Sequence, residues 1–248
     1  MTEYKEKISL LASLIKEGNN TYVLTGAGIS TDSGIPDFRT PGKGLWEKVD
    51  PMAVSTVSVL MNDPRTFYEQ GFTRFASITE AEPNDGHYAL ARLEELGYIK
   101  GLITQNIDGL HVKAGSQKVW EVHGHLRSGY CLACKKEYPF AELVRQVDIA
   151  QIPPTCKDCR GMLRPEIVLF GDPMPEAFFA LQRLISRECD FMLVVGSSLV
   201  VYPVANLPAM ADKLGIINLQ PTSYDPQAEI VIHENSGRVL NDLLKILN

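Results

Sequence analysis

Nothing in the 248 residues approaches the roughly 18 consecutive apolar residues of a membrane-crossing helix, so a membrane span is not expected. An excess of positive charge is missing as well. With 24 Lys and Arg against 30 Asp and Glu, the net charge is -6, which removes any general attraction to nucleic acid or to an anionic membrane surface. Internal repeats and low-complexity tracts are absent, which excludes solenoids and linker-like chains. The opening stretch MTEYKEKISLLASLIKEGNN carries both signs of charge and no apolar segment of signal-peptide length. It reads as an amphipathic helix closed by Gly18. The expectation is a soluble, cytoplasmic protein.

Cysteine is sparse, and its arrangement excludes a disulfide scaffold. Four of the five cysteines form two tight pairs, Cys131-Leu-Ala-Cys134 and Cys156-Lys-Asp-Cys159, separated by 21 residues. Two such pairs surround one zinc ion, since each turn offers two thiolates and the metal prefers four ligands in a tetrahedron. With all four positions filled by sulfur, no coordination site is left for water or substrate, so the zinc is structural. A nucleic-acid-gripping zinc ribbon does not fit: Cys131 to Arg160 holds five basic residues against four acidic ones, and zinc with four thiolates adds two negative charges. The fifth cysteine, Cys189, precedes an apolar run and reads as a buried core thiol.

What the chain does have is apolar strands that run into small or polar residues. Thr21 to Thr25 (TYVLT) leads straight into Gly26-Ala27-Gly28-Ile29-Ser30-Thr31, a glycine turn whose backbone amides can approach a pyrophosphate closely. Thr31 stands where the usual dinucleotide fingerprint ends in Gly or Ala, and no ribose-binding acid can be assigned about 20 residues on. Further strand candidates are 99 to 104, 118 to 122, 167 to 170, 191 to 195 and 216 to 219, with helical patterns at 89 to 96 and 176 to 187. The alternation predicts an α/β fold, a mostly parallel sheet with helices on both faces. A stretch from about 128 to 163, punctuated by Gly and Pro, loses the hydrophobic rhythm and reads as an inserted zinc module. A second irregular region, 36 to about 83, is expected to supply a loop and a few helices over the ligand.

Polar clusters sit where the strands end. Gly196-Ser197-Ser198 follows Phe191 to Val195, and Asn218-Leu219-Gln220 closes the last strand candidate. Thr104-Gln105-Asn106-Ile107-Asp108 and Glu121-Val122-His123-Gly124 are costly to place near a core unless something binds there. Among the five histidines, His123 alone has the context of a general base, after a strand and before a glycine.

Taken in order, GAGISTDSGIPDFR (26 to 39), TQNID (104 to 108), His123-Gly124, the two cysteine pairs and GSSLVVYP (196 to 203) resemble the sirtuin family, over roughly residues 20 to 235. The resemblance implies one catalytic unit over 1–248: a large Rossmann-like domain (about 1–35, 84–127 and 164–248) and a smaller inserted zinc-binding and helical domain (about 36–83 and 128–163). It implies NAD as co-substrate, one structural zinc, and an acetylated protein or peptide bound in the cleft as an added strand. The implied reaction passes through an alkylamidate and gives free lysine, nicotinamide and 2'-O-acetyl-ADP-ribose. His123, Asn106 and Asp108 match the catalytic positions. Ala27, Thr31, Asp37, Phe38, Arg39, Gln105, Asn106, Ile107, Asp108, His123, Gly196, Ser197, Ser198, Asn218 and Leu219 match the cofactor side. Val168, Phe170, Gly171 and Val201 match the peptide edges, while Asp172-Pro173 departs from the family's usual Glu and hydrogen-bond donor. Tyr68-Glu-Gln-Gly71 lacks the arginine that a succinyl- or malonyl-removing sirtuin carries, so an uncharged acyl group is expected. A protein mono-ADP-ribosyltransferase and a non-catalytic NAD or ADP-ribose sensor are the rival readings.

Overall fold

Every residue of Thr21–Thr25 is β-branched, aromatic or aliphatic, and all five are buried, as expected of a strand covered on both faces. This strand, β1, is central in a six-stranded sheet. The computed structural model describes residues 2–37 and 49–248. The other strands are β2 (Gly101–Thr104), β3 (Val119–Glu121), β4 (Gly124–Cys131), β5 (Glu137–Pro139), β6 (Leu163–Ile167), β7 (Phe191–Val195), β8 (Lys213–Ile217) and β9 (Ile230–Ile232). The large sheet has the order β3-β2-β1-β7-β8-β9, and every pairing in it is parallel. The order reverses between β1 and β7, which makes that point the topological switch of an open α/β sheet.

Helices cover both faces. On one side Thr2–Glu17, Asp85–Glu95 and Ser236–Leu247 bury Leu11, Ile15, Leu90, Leu93, Leu240 and Leu243 against Val23, Leu102, Leu193 and Ile217 of the sheet. On the other, Glu176–Glu188 packs Phe178, Leu181 and Ile185 on Leu24, Met192, Val194 and Ile216. Each such side chain contributes about 1.5–3 kcal/mol on burial. The first helix ends where expected, the Gly18 amide donating to the Leu14 carbonyl at 3.0 Å. Cys189 is buried as expected, and desolvation pushes its thiol up to about 12.

A third core lies apart from these two. It joins the helices between Val54 and Ile78 to Leu126, Tyr138, Phe140, Leu143, Leu163, Ile167 and Leu169. Here β4, β5 and β6 form a small antiparallel sheet in the order β5-β4-β6.

Several elements differ from the sequence expectation. The candidate at 167 to 170 is not a strand of the parallel sheet: Leu163–Ile167 pairs antiparallel with β4, and only a bridge from Phe170 to Thr56 follows. The last candidate, 216 to 219, lies earlier, at Lys213–Ile217, so Leu219 is beyond the strand and exposed. The stretch that loses hydrophobic rhythm holds the amphipathic helix Phe140–Asp148, which buries Phe140 and Leu143. Among the described residues no helix is long and apolar enough to cross a membrane.

Candidate functional site

Because all strands of the large sheet run the same way, their C-terminal ends share one edge. Gly26 follows β1, Gln105 to Asp108 follow β2, His123 follows β3, Gly196 to Ser198 follow β7 and Asn218 follows β8. The fold thus gathers five polar segments that are far apart in sequence onto one rim, flanking the switch point.

Two glycine turns form its floor. The Gly28 amide donates to the Gly196 carbonyl at 2.8 Å, and the Gly26 amide donates to the Val195 carbonyl at 3.1 Å. Gly196 has φ +62, and a Cβ there would stand 2.4 Å from the Ile29 nitrogen, so only glycine allows the turns to touch. Ala27 and Thr31 lie in the short 3-10 helix Ala27–Ser33 that leaves this floor, Thr31 bonding the Gly28 carbonyl at 3.0 Å through its hydroxyl.

Above the floor is a hydrogen-bonded cluster. The Asn106 amide group donates to the Gly26 carbonyl and to Ser30 Oγ, both at 3.1 Å, so its two hydrogens are spent within the protein. Ser30 Oγ in turn donates to Asp108 Oδ2 at 2.7 Å, while the Leu110 amide donates to Asp108 Oδ1 at 2.9 Å. Burial pushes the Asp108 carboxyl up from its ordinary range. Gln105 bridges to the neighbouring turn, its side-chain amide donating to Ser197 Oγ at 2.8 Å. The Ile107 carbonyl accepts from the Leu126 amide at 3.1 Å, tying this segment to β4. Ser30 was not among the residues singled out from the sequence, although its place one helical turn into the glycine segment is the signal that could have found it.

His123 is the cluster's titratable member. Its Nδ1 lies 3.0 Å from the Gln105 carbonyl oxygen. A carbonyl can only accept, so Nδ1 carries the proton and Nε2 keeps its lone pair. Burial lowers the imidazole's pKa and the Gln105 bond opposes that shift. At neutral pH the ring is therefore a neutral base with a fixed orientation. The chain turns sharply after it: Gly124 has φ +78, and a Cβ would fall 2.1 Å from the Glu166 carbonyl oxygen. Gly124→Ala is expected to cost at least about 2 kcal/mol and to displace the ring, read as a lower denaturant midpoint together with lower activity.

Behind the cluster two further histidines are buried, with ring centroids 4.9 Å apart. His111 Nε2 meets Thr25 Oγ1 at 2.9 Å, and His87 Nε2 approaches Ser30 Oγ at 3.5 Å. Desolvation lowers the pKa of both, that of His87 to about 4 from an ordinary 6.5. Protonation therefore favours the unfolded chain. Between pH 6.5 and about 4 the unfolded state binds the proton that folded His87 refuses, so stability falls with falling pH in that window. The loss from His87 is on the order of 3 kcal/mol, measurable as a urea midpoint that drops from pH 7 to pH 4.5 and drops less in His87→Gln.

Three of the expected peptide-edge residues, Val168, Phe170 and Gly171, follow β6. The Val168 amide donates to the His123 carbonyl at 2.8 Å, so this edge starts on the backbone of the candidate base. Phe170 is exposed, and its carbonyl accepts from the Val57 amide at 3.0 Å. Val201 lies half-buried beyond Ser198 and Leu199, its carbonyl accepting from Ala205. At the β8 end the Asn218 carbonyl accepts from His233 Nδ1 at 2.8 Å. Asp37 is half-buried, while Phe38 and Arg39 lie outside the described residues.

The four paired cysteines converge. Their sulfurs lie within 4.8 Å of one another, with 3.4 Å between Cys131 and Cys159 and 3.7 Å between Cys134 and Cys156. Zinc–sulfur bonds of about 2.3 Å in a tetrahedron set sulfurs about 3.8 Å apart, so the four fit one ion. None is in a disulfide. Tyr138 Oη lies 3.2 Å from the Cys156 sulfur, an outer hydrogen bond that orients this ligand.

With this geometry in view, comparison with known proteins is informative. The Sir2 family model matches residues 26–203. An NAD-dependent protein deacetylase 2 from Caldanaerobacter subterraneus subsp. tengcongensis is 53% identical over 95% of this chain and 94% of its own length. An NAD-dependent protein deacetylase from Caldivirga maquilingensis is 46% identical over 94% and 91%. A solved structure of Sir2 with a p53 peptide and NAD+ superposes with a TM-score of 0.87 at 37% identity, covering 97% of this chain and 98% of that one. Another, of Sir2 with the inhibitor EX-527, 2'-O-acetyl-ADP-ribose and a deacetylated p53 peptide, gives 0.83 at 36% identity, with 96% and 98% covered.

Proposed function

Since the chain belongs to the Sir2, or sirtuin, family, we propose that it is an NAD-dependent protein lysine deacetylase. It would take an acetyl group from a lysine side chain, consume NAD and one water, and yield free lysine, nicotinamide and 2'-O-acetyl-ADP-ribose. NAD supplies the ribose carbon that loses nicotinamide and the hydroxyl that finally carries the acetyl group. The observation that carries the proposal is the orientation of His123, whose proton-bearing Nδ1 is held by the Gln105 carbonyl, leaving Nε2 as acceptor.

In this reading His123 takes a proton from a ribose hydroxyl at Nε2. Gly26, Ala27, Gly28, Thr31, Asp37, Phe38 and Arg39 would bind the cofactor on the β1 side. Gly196, Ser197, Ser198, Asn218 and Leu219 would hold its adenosine end. Gln105, Asn106, Ile107 and Asp108 would line the nicotinamide and ribose pocket, with Ser30 fixing Asn106 and Asp108 from behind. Fit to a dinucleotide is supported by the two abutting glycine turns, which leave the rim without a Cβ at its floor.

An acetylated peptide would add as a strand beside Val168, Phe170 and Gly171, with Val201 on the facing edge. Tyr68 is fully buried with its hydroxyl on the Leu163 carbonyl, and Arg74 donates to the Gln70 carbonyl on its own helix, which supports an uncharged acyl group. Cys131, Cys134, Cys156 and Cys159 would hold one zinc ion with no structural vacancy for substrate. The separate core beneath the cysteines supports a two-lobe division, with the large parallel-sheet lobe and the zinc-and-helix lobe meeting near His123. The net charge of -6 supports a protein that does not bind nucleic acid, and cysteines held in no disulfide support a reducing compartment such as the cytoplasm.

The test is mass spectrometry of an acetyl-lysine peptide with and without NAD. Deacetylation that requires NAD and yields O-acetyl-ADP-ribose is the expected result. NAD consumption that leaves the peptide acetylated and an acceptor protein ADP-ribosylated would replace this reading with the transferase one.

A further inference from the structure

Arg164 lies on β6 with 5% of its surface exposed, beside the expected peptide edge. Its guanidinium grips Asp172 through both terminal nitrogens, Nη2 to Oδ2 at 2.6 Å and Nη1 to Oδ1 at 3.2 Å. The same Nη2 donates to the Ile167 carbonyl at 2.9 Å, and the guanidinium carbon stands 5.7 Å from the centre of the Tyr130 ring. Asp172 closes a turn in return. Its Oδ2 accepts from the Leu169 amide at 2.9 Å, while its own amide donates to the Leu169 carbonyl at 3.0 Å. The pair therefore braces both ends of the segment from Ile167 to Asp172, the segment whose outer residues are Val168, Phe170 and Gly171.

A buried ion pair is poorly explained by stability alone. Removing two charges from water costs about as much as their attraction returns, and an apolar pair of similar volume often does as well or better. What charge adds here is direction: a bidentate fork accepts one geometry, and the carboxylate it orients fixes a backbone amide of the edge. Gly171, at φ +90, and the bond from the Val57 amide to the Phe170 carbonyl complete a rigid turn around it.

We propose that Arg164 and Asp172 are positioning residues that set the Val168 to Gly171 edge in register for peptide binding, an inference that rests on the deacetylase reading. It also gives Asp172, where the usual family pattern has Glu, a specific part. A longer acid at 172 would have to shift the Arg164 fork or the Leu169 amide to keep both bonds, so the edge's register in this chain depends on side-chain length as well as on charge.

The measurement is KM for acetyl-lysine peptide and for NAD, separately, with kcat, in Asp172→Glu and in the double variant Arg164→Met/Asp172→Leu. The double variant removes both charges and leaves no unpaired ion, but the Leu169 amide and the Ile167 carbonyl lose their side-chain partners, so its thermal midpoint is expected to fall modestly while the fold persists. Peptide KM is expected to rise about tenfold in the double variant and about threefold or more in Asp172→Glu, with NAD KM and kcat within about twofold. A merely structural pair would leave both KM values unchanged or move them together. A folded double variant with unchanged peptide KM overturns the proposal. Should it not fold, an unchanged peptide KM in Asp172→Glu does so. If the unaltered protein shows no NAD-dependent deacetylation, the deacetylase reading is what fails, and the positioning role is then read from fluorescence anisotropy of a labelled acetyl-lysine peptide. Weaker binding in the variants supports it; equal binding, or none to the unaltered protein, overturns it.

Discussion

His123→Ala is expected to lower NAD-dependent deacetylation at neutral pH by about 10²–10⁴-fold, the range spanned by a positioned general base. The geometry determines how that loss divides. His123 is held by the Gln105 carbonyl and does not hold the glycine floor, so removing the ring leaves the contacts among Gly26, Gly28 and Gly196 in place. The fall should therefore appear in kcat while the KM for NAD changes little. The lowered pKa adds a second signature, because a histidine acting as base works only when unprotonated. The unaltered protein should keep its activity as pH falls to 6.5 and lose it at lower pH, whereas the residual activity of His123→Ala should lack this acid limb. A variant that retains more than about a tenth of the activity would show that another group takes the proton.

Removing the metal is expected to abolish activity by a different route. Cys131 and Cys156 are buried in one core with Tyr138, Phe140, Leu143 and Leu163, and that core continues into Ile167 and Leu169. Structural zinc in small modules contributes on the order of 10 kcal/mol. Without it, four sulfurs this close would repel one another as thiolates, and the core around Tyr138, Phe140 and Leu143 would lose the cross-link between its two cysteine turns. A chelator, or Cys156→Ala, should make the stretch from 124 to 167 sensitive to protease and abolish deacetylation. Metal release measured with a chromogenic chelator should give about one zinc per chain. Adding zinc back should restore activity after chelation but not in Cys156→Ala. Full activity in a demonstrably metal-free protein would separate the module from the peptide edge and refute this account.

Much of the parallel sheet was legible because its strands are continuous apolar runs bounded by glycine or polar clusters. β1 and β7 fall at the expected bounds, Thr21–Thr25 and Phe191–Val195. β9 was missed because three residues, Ile230–Ile232, offer too little pattern; they are a strand only because β8 lies alongside. The small sheet was hidden for the same reason on a larger scale. Tyr130 pairs with Glu137 on one side and Arg164 on the other, and no local periodicity reports a partner so far along the chain. Leu163–Ile167, with Arg, Pro and Glu inside it, offers no apolar run, and the strand candidate read from the sequence begins only at Ile167. The helix Phe140–Asp148 was readable in principle, with apolar residues at 140, 143, 144 and 147, but the surrounding Gly and Pro masked it.

At the site, residue types at strand ends were legible and their bonding was not. Sequence could mark Asn106 and Asp108 as polar residues needing a reason to be near a core. It could not show that Ser30 joins them, since that link requires the 3-10 segment to lie against the end of β2. Asp172 illustrates the reverse. It stood out as a departure from the family pattern, and only the fold shows its carboxylate turned inward to Arg164.

The position of β1 in the sheet has a kinetic consequence. β1 lies between β2 and β7, strands supplied by distant parts of the chain, and each contributes one segment of the rim. Pairings of such long sequence separation are slow to close, because the loops between them must lose their freedom before any contact compensates. The rim is complete only after the last of these closures. Recovery of catalysis during refolding should therefore trail the return of helical signal, and a nascent chain still lacking β7 and β8 should bind no dinucleotide however well its first glycine turn is formed.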